Sequence, residues 1–340
     1  MKMDKKIKEI IDKAKNKSLS GEDVERDTLL MLLEINPDSE EGEYLGSSAR
    51  DIVRKIYGNK AIVDSSIGID LTPCKMSCKF CALGEEWDLF KGEHMLPDDV
   101  ILNLIRGILA DGFFSVALRT TEFYDLNRLC ELGRKIRKEI PGRYNLTANT
   151  GEITVKDAKR LRDAGFNAVY HTLRLREGID TKFNPEVRLA SMAAAREAGL
   201  YLACGIDPVG IEHTNGEIID RIIKFREIKA NGVCVMRRVN VKGTPMEGIE
   251  EVSDLRMAHI VAVTQIAGGK NWRVVVHPPI RKALEWGASW IAVETGANPR
   301  DNVHEVGVWK IFDHATAKQM FLDAGYVMAT FDDLKDAWCR

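Results

Sequence analysis

The sequence predicts an α/β protein, a (β/α)8 TIM-type barrel with a helical N-terminal extension, and three observations carry that prediction. One phrase recurs six times, a helix end, a glycine and then a short apolar run, at Gly112, Gly165, Gly199, Gly232, Gly287 and Gly325. Glycine suits the left-handed residue that ends a helix, and the run after it suits a strand buried on both faces. The intervening segments carry helical spacing, with Ile101, Leu104, Ile105 and Ile108 on one face. Strands counted from Ala61 (near 61, 114, 144, 167, 201, 233, 272 and 289) come to about eight, and repeated helix–strand units mean a parallel sheet. That number favours a closed barrel over a doubly wound open sheet, and the Gly325 phrase becomes an element after the barrel.

The chain opens with helical patterning. Ile7, Ile10, Ile11 and Ala14 fall at helical spacing among lysines, the pattern of a helix lying on its own domain or on a partner or membrane surface. Ser20 followed by Asp23 reads as a helix start ahead of Leu29, Leu30, Leu32 and Leu33. Pro37 breaks that run, and a third helix passes through Ala49, Ile52, Val53 and Ile56 to end at Gly58. Residues 1–59 are therefore expected to pack on the barrel as an extension, and residues 60–340 to form the barrel with a C-terminal tail.

Composition narrows the function. A net charge of −2, with no basic tract interleaved with aromatics, argues against bulk nucleic-acid binding. Seven unevenly spaced cysteines do not form a disulfide framework. The N-terminus is charged and lacks the apolar stretch of a secretory signal, and no apolar run is long enough to span a membrane. A reducing cytoplasm is the expected home.

In such barrels chemistry gathers at the C-terminal strand ends. The segment carrying Cys74, Cys78 and Cys81 follows the first strand there, and Thr120, Thr121 and Glu122 follow the second. Thr147 and Asn149 end the third strand, His171 to Arg174 the fourth, and Cys204 and Asp207 the fifth. Asn240, Val241 and Gly243 follow the sixth, His277 ends the seventh, and Glu294 the eighth.

Cys74, Cys78 and Cys81 fall within eight residues, with no fourth cysteine and no paired histidine nearby. Soft sulfur donors select zinc, copper(I) or iron–sulfur clusters. Structural zinc brings four protein ligands in paired spacings, whereas three thiolates on a [4Fe–4S] cubane leave one iron open.

The C-x3-C-x2-C spacing resembles that of radical S-adenosylmethionine (AdoMet) enzymes. The order of features between about residues 49 and 298 resembles the branch containing biotin synthase, 3-methylornithine synthase and the radical maturase of [FeFe]-hydrogenase. The cysteine loop, the turn at 204–214 and the Val-Lys-Gly-Thr-Pro run at 241–245 carry the likeness. It implies that Cys74, Cys78 and Cys81 bind the cluster and that the backbone at Phe80 meets adenine. It implies that Glu122, with Thr121 beside it, receives the methionine amino group of AdoMet, and that Arg188 pairs with its carboxylate. Arg174 joins that set, and Asn240, Val241 and Gly243 line the adenosine. Thr120 and Thr121 stand where the family pattern has glycines.

The resemblance further implies reductive cleavage of AdoMet and hydrogen abstraction from a small, carboxylate-bearing substrate. Rearrangement or fragmentation in cofactor or amino-acid biosynthesis would follow, with electrons from a donor such as flavodoxin or ferredoxin. Thr147, Asn149, Cys204, Asp207, Arg238, His277 and Glu294 are the candidate substrate residues, and Arg237 lies on the strand face opposite Arg238. The strand ends where biotin synthase holds a second cluster have a cysteine only at Cys204. Cys130 reads as a helix residue, Cys234 as buried on the far side from the rim, and Cys339 as part of the tail. Two alternatives stay open: sulfur insertion of the biotin or lipoyl synthase type with a second cluster, and an iron–sulfur electron carrier without AdoMet chemistry.

Overall fold

A computed structural model describes residues 3–296 and 312–334; Asn298 and Cys339, named above, lie outside them. Eight parallel strands, β1 (Lys60–Gly68), β2 (Ser115–Arg119), β3 (Asn145–Asn149), β4 (Ala168–Tyr170), β5 (Tyr201–Val209), β6 (Gly232–Arg237), β7 (Arg273–His277) and β8 (Trp290–Gly296), pair in chain order. The last returns to the first, with Ile62 opposite Trp290 and Gly68 opposite Gly296. That closure makes the sheet a barrel, and the open-sheet alternative falls. A short ninth strand, β9 (Val327–Met328), pairs with the start of β1.

Three helices precede the barrel: α1 (Lys5–Ser20), α2 (Arg26–Glu34) and α3 (Glu40–Tyr57). One helix follows each barrel strand: α4 (Asp98–Ala110), α5 (Leu126–Glu139), α6 (Val155–Asp163), α7 (Pro185–Glu197), α8 (Asn215–Glu227), α9 (Asp254–Gly268), α10 (Arg281–Glu285) and α11 (His314–Asp323). The recurring glycine works as its position suggests at Gly112, Gly165, Gly199, Gly287 and Gly325, all at positive φ. Gly232 differs. Lys229, at φ 55°, takes the left-handed turn there, while Gly232 opens β6 where a Cβ would lie 3.0 Å from the Tyr201 hydroxyl.

The extension departs from expectation at one boundary. Ser20 ends α1 and does not start α2, because Gly21, at φ +84°, turns back to donate to the Lys17 carbonyl. A glycine following a helical run is a stop, and it overrides the serine as a start. The ends of α3 match the sequence reading: Ser39 caps its start and left-handed Gly58 its finish.

The extension covers α9, whose residues from Met257 to Gly268 are all buried. A helix apolar on every side needs cover on every side; the barrel supplies one half and α1–α3 the other. The contact is tight at Gly46, where a Cβ would meet the Trp286 indole at 2.2 Å. His259 of α9 fixes α2 by donating from Nε2 to the Leu32 carbonyl at 2.9 Å.

Burial lowers the His259 imidazole from its usual 6.5 to about 4. The unfolded chain therefore binds this proton first, so stability is full above pH 6.5 and falls as pH drops toward 4. This site costs up to about 3 kcal/mol across that window, at about 1.4 kcal/mol per pH unit. Denaturant midpoints between pH 7 and 4 should show the fall, and His259→Gln should flatten it.

At the N-terminal end of the barrel, Ile62, Ala168, Tyr201 and Trp290 pack with Ala329 and Leu334 from the segment after β9. No helix among the described residues is long and apolar enough to cross a membrane.

Candidate active site

The cysteine loop leaves β1 at the C-terminal end of the barrel. Its folding is local: Cys74 N–H donates to Leu83 at 2.6 Å, Cys81 N–H to Cys78 at 2.9 Å, and Glu85 N–H to Cys74 at 3.0 Å. Leu71, Ala82, Leu83, Phe90 and Val241 form a small apolar cluster beneath it, with Cys74 and Cys81 against it. All three thiols border one cavity of about 140 Å³, together with Asp70, Thr121, Glu122, His171, Arg174 and Arg188. Cys78 and Cys81, with Phe80, also border a deeper cavity of about 220 Å³ inside the barrel.

Among the described residues no three His, Cys, Asp or Glu side chains are grouped to hold a single metal ion. Three cysteines around one cavity suit a polynuclear cluster with three protein ligands. Burial raises the Cys74 and Cys78 thiols above their ordinary range, and at Cys78 the Arg174 guanidinium opposes it. A bound metal ionises such thiols outright.

Opposite the thiols lies a network of opposed charges. Arg188 is 3 % exposed, with Nη2 3.6 Å from Glu122 Oε2 and Nε 3.2 Å from Glu152 Oε1. Its guanidinium lies 3.8 Å from the centre of the Phe183 ring. His171 Nε2 lies 3.1 Å from Arg188 Nη1 and 3.2 Å from Glu152 Oε2. Burial raises the Glu122 carboxyl and Arg188 pulls it back. Burial keeps His171 neutral by lowering it, against the Glu152 carboxylate. Nε and Nη2 of Arg188 face these carboxylates as ion pairs without completing a hydrogen bond among the described residues.

Thr121 is held from below by Asp70, which accepts from its N–H at 2.8 Å and its hydroxyl at 2.5 Å. Gly151 packs its backbone directly against Glu122. A Cβ there would lie 2.0 Å from the Glu122 carbonyl oxygen. Asp70 and Glu152 were not singled out by the sequence; Asp70 ends the first-strand run just ahead of the cysteines, a placement that marks it only once the barrel is drawn.

The deeper cavity gathers Thr147, Asn149, Cys204, Asp207, His277 and Glu294 on its wall, with Arg174 shared between the two cavities. Tyr170 donates to Asp207 Oδ2 at 3.0 Å, and Arg174 Nη1 has no hydrogen-bond partner among the described residues. Arg119, another residue the sequence did not flag, donates to Glu294 Oε1 at 2.5 Å and to Ser66 at 3.1 Å. His277 Nε2 lies 3.5 Å from Glu294 Oε2.

Four expected residues border neither cavity: Arg238, Asn240, Val241 and Gly243. Arg238, just past the end of β6, turns away from the cavity and pins the loop after β6, donating to Glu212 at 3.0 Å and the Glu250 carbonyl at 2.9 Å. Its neighbour Arg237 is the one that borders the cavity. Val241 reaches the site indirectly, through the apolar cluster under the cysteine loop. Cys204 borders the deeper cavity yet also belongs to the main core. Cys234 stands in the first half of β6, and it shares an inward face with Gly232 and Met236 that borders the cavity.

No family model matches the chain. It is 26 % identical over 297 residues to a biotin synthase of Clostridium botulinum (strain Hall), covering 82 % of this chain and 90 % of that protein. Identity to a biotin synthase of Persephonella marina is 24 % over 258 residues, covering 73 % and 75 %. The fold matches a crystal structure of methylornithine synthase (PylB) with a TM-score of 0.81 at 19 % identity, covering 95 % of this chain and 99 % of that one. It matches HydG, a maturase of the [FeFe]-hydrogenase, with a TM-score of 0.77 at 16 % identity, covering 96 % and 80 %.

Proposed function

We propose, from the premise that this chain is a radical AdoMet enzyme of the biotin synthase-like branch, that it rearranges or fragments a small carboxylate-bearing substrate. The observation that carries the reading is a cavity lined by three thiols and a buried arginine–carboxylate pair, sharing Cys78, Cys81 and Arg174 with a second cavity in the barrel.

Cys74, Cys78 and Cys81 hold a [4Fe–4S] cluster with one iron free of protein sulfur. Arg188 receives the AdoMet carboxylate, Glu122 its amino group, and the backbone at Phe80 its adenine. Asn240, Val241 and Gly243 act from behind, through the packing of Val241 under the loop. When bound, cluster and AdoMet supply a one-electron cleavage of the sulfonium and a carbon radical that abstracts hydrogen. The chain's own residues orient the parts and keep the chamber dry. Arg174 Nη1 offers a donor to the substrate carboxylate, and Asp207 keeps that guanidinium charged within the barrel. Tyr201, Met236, Val275 and Trp290 wall the chamber against water.

Sulfur insertion is the weaker reading. Among the described residues, apart from the loop thiols, only Cys204 and Cys234 border the chamber, too few to hold a second cluster by protein sulfur alone. An electron carrier has no use for a chamber of this depth.

Anaerobic reconstitution followed by AdoMet and dithionite tests the proposal. The expected product is 5′-deoxyadenosine, with about four irons per chain for a single cubane. About eight irons would favour sulfur insertion, and no 5′-deoxyadenosine under reduction would overturn the reading. Flavodoxin or ferredoxin should replace dithionite as the one-electron donor.

A further inference from the structure

The wall of the barrel chamber carries a second polar site, away from the cysteines. Asp64 of β1, Ser115 of β2 and Asn145 of β3 stand side by side: Ser65 is in register with Val116, and Ser115 with Asn145. Asp64 and Asn145 both border the chamber. Asn145 spends its amide hydrogens on Ser115 Oγ at 3.0 Å and Thr147 Oγ1 at 2.9 Å. That leaves Asn145 Oδ1 as an acceptor, and neither it nor Asp64 Oδ1 has a hydrogen-bond partner among the described residues, although both atoms are buried.

Two buried acceptors without donors are costly as they stand. Burial raises the Asp64 carboxyl, with the Ser115 hydroxyl and the Ser65 backbone opposing. Among the chamber's lining, Ala117, Ala168, Ala203, Gly232 and Ala292 are small beside the larger Tyr201 and Trp290 and leave room for a ligand to reach the row.

We infer that Asp64 and Asn145 form a receptor for the protonated amine of an elongated substrate, whose opposite end lies at the rim near Arg174. An ammonium brings three donors and a positive charge, so it can satisfy both acceptors and the carboxylate at once. A hydroxyl brings one donor and no charge. Asp64 lies one inward position below Ser66, which faces Glu294 in register, so the row sits about 7 Å below that level along the strand. A terminal amine on a five-carbon carboxylic acid has that reach. The inference rests on the barrel interior being the substrate chamber.

The test is calorimetric titration of the AdoMet-loaded, reconstituted protein with 5-aminopentanoate, 5-hydroxypentanoate and hexanoate. The amine should bind at least about tenfold tighter than either neutral-ended acid, a difference of one charge-assisted contact. Asp64→Asn, which keeps shape and removes charge, should reduce that preference to within about twofold, with circular dichroism and the unfolding midpoint reporting an intact fold. Equal binding of the three acids, no binding of the amine, or a preference that survives in Asp64→Asn would overturn the inference. A protein that shows the amine preference but makes no 5′-deoxyadenosine would overturn the proposed reaction and leave this site standing.

Discussion

Cys78→Ala should abolish AdoMet cleavage while leaving the barrel folded. Changing a group behind a metal ligand commonly costs about 10–100-fold; loss of the ligand itself should exceed that, with 5′-deoxyadenosine below about one hundredth of wild type. Cys78, like Cys81, borders both cavities. The loop's fold does not depend on its sulfur: backbone bonds from Cys74, Cys81 and Glu85, and the apolar cluster beneath, hold the turn. The measured signature is loss of bound iron and product with an unchanged circular dichroism spectrum. Retained iron and turnover would remove Cys78 from the ligand set. Cys130→Ala, a substitution in the α5 core, should leave iron content at the wild-type level.

Arg188→Leu has the second largest expected effect, on binding and stability together. Arg188 is the shared cation of Glu122 and Glu152, and burial opposes the charged form of both carboxyls. Breaking a buried ion pair by removing one partner costs about 3–5 kcal/mol. Glu152 is partly exposed and can be resolvated, so the lower end, about 3 kcal/mol in denaturant unfolding, is expected. AdoMet affinity should fall by at least about tenfold, the value of one charge-assisted contact. Arg188→Lys should recover most of the stability but less of the affinity, because an ammonium cannot reproduce the planar fork. Wild-type affinity in Arg188→Leu would mean that the AdoMet carboxylate is held elsewhere.

The barrel was legible because its signals are local and repeated. A glycine ending a helix and an apolar run starting a strand each need only a few residues to be seen, and the chain states them often enough to count. Closure follows from the count. The boundary at Ser20 misled because a serine start and a glycine stop compete within two residues, and only packing against α9 shows how far α1 extends. The cysteine loop stood out for the same local reason, three cysteines within eight residues.

Of the charged network, Glu122 and Arg188 were named through the resemblance and His171 by its strand end, while Glu152 was missed and the pairing among them was not legible. Glu152, His171 and Arg188 come from three segments, and nothing in their spacing says that the barrel brings them within hydrogen-bonding reach. Asp70 and Arg119 act by holding Thr121 and Glu294, a role with no sequence pattern. Strand alternation turns Cys234 inward with Gly232 and Met236, but the phase slips at the end of β6, where Arg237 borders the cavity and Arg238 does not.

The central claim is that one iron, uncapped by protein, takes the amino and carboxylate groups of AdoMet. Electron–nuclear double resonance on the reduced cluster, with AdoMet labelled with 15N at the amino group and 17O at the carboxylate, addresses it most directly. Hyperfine coupling to both labels, weakened in Arg188→Leu and lost in Cys78→Ala, is the result expected. A reduced cluster showing no coupling to either label, with AdoMet present at saturation, would contradict it.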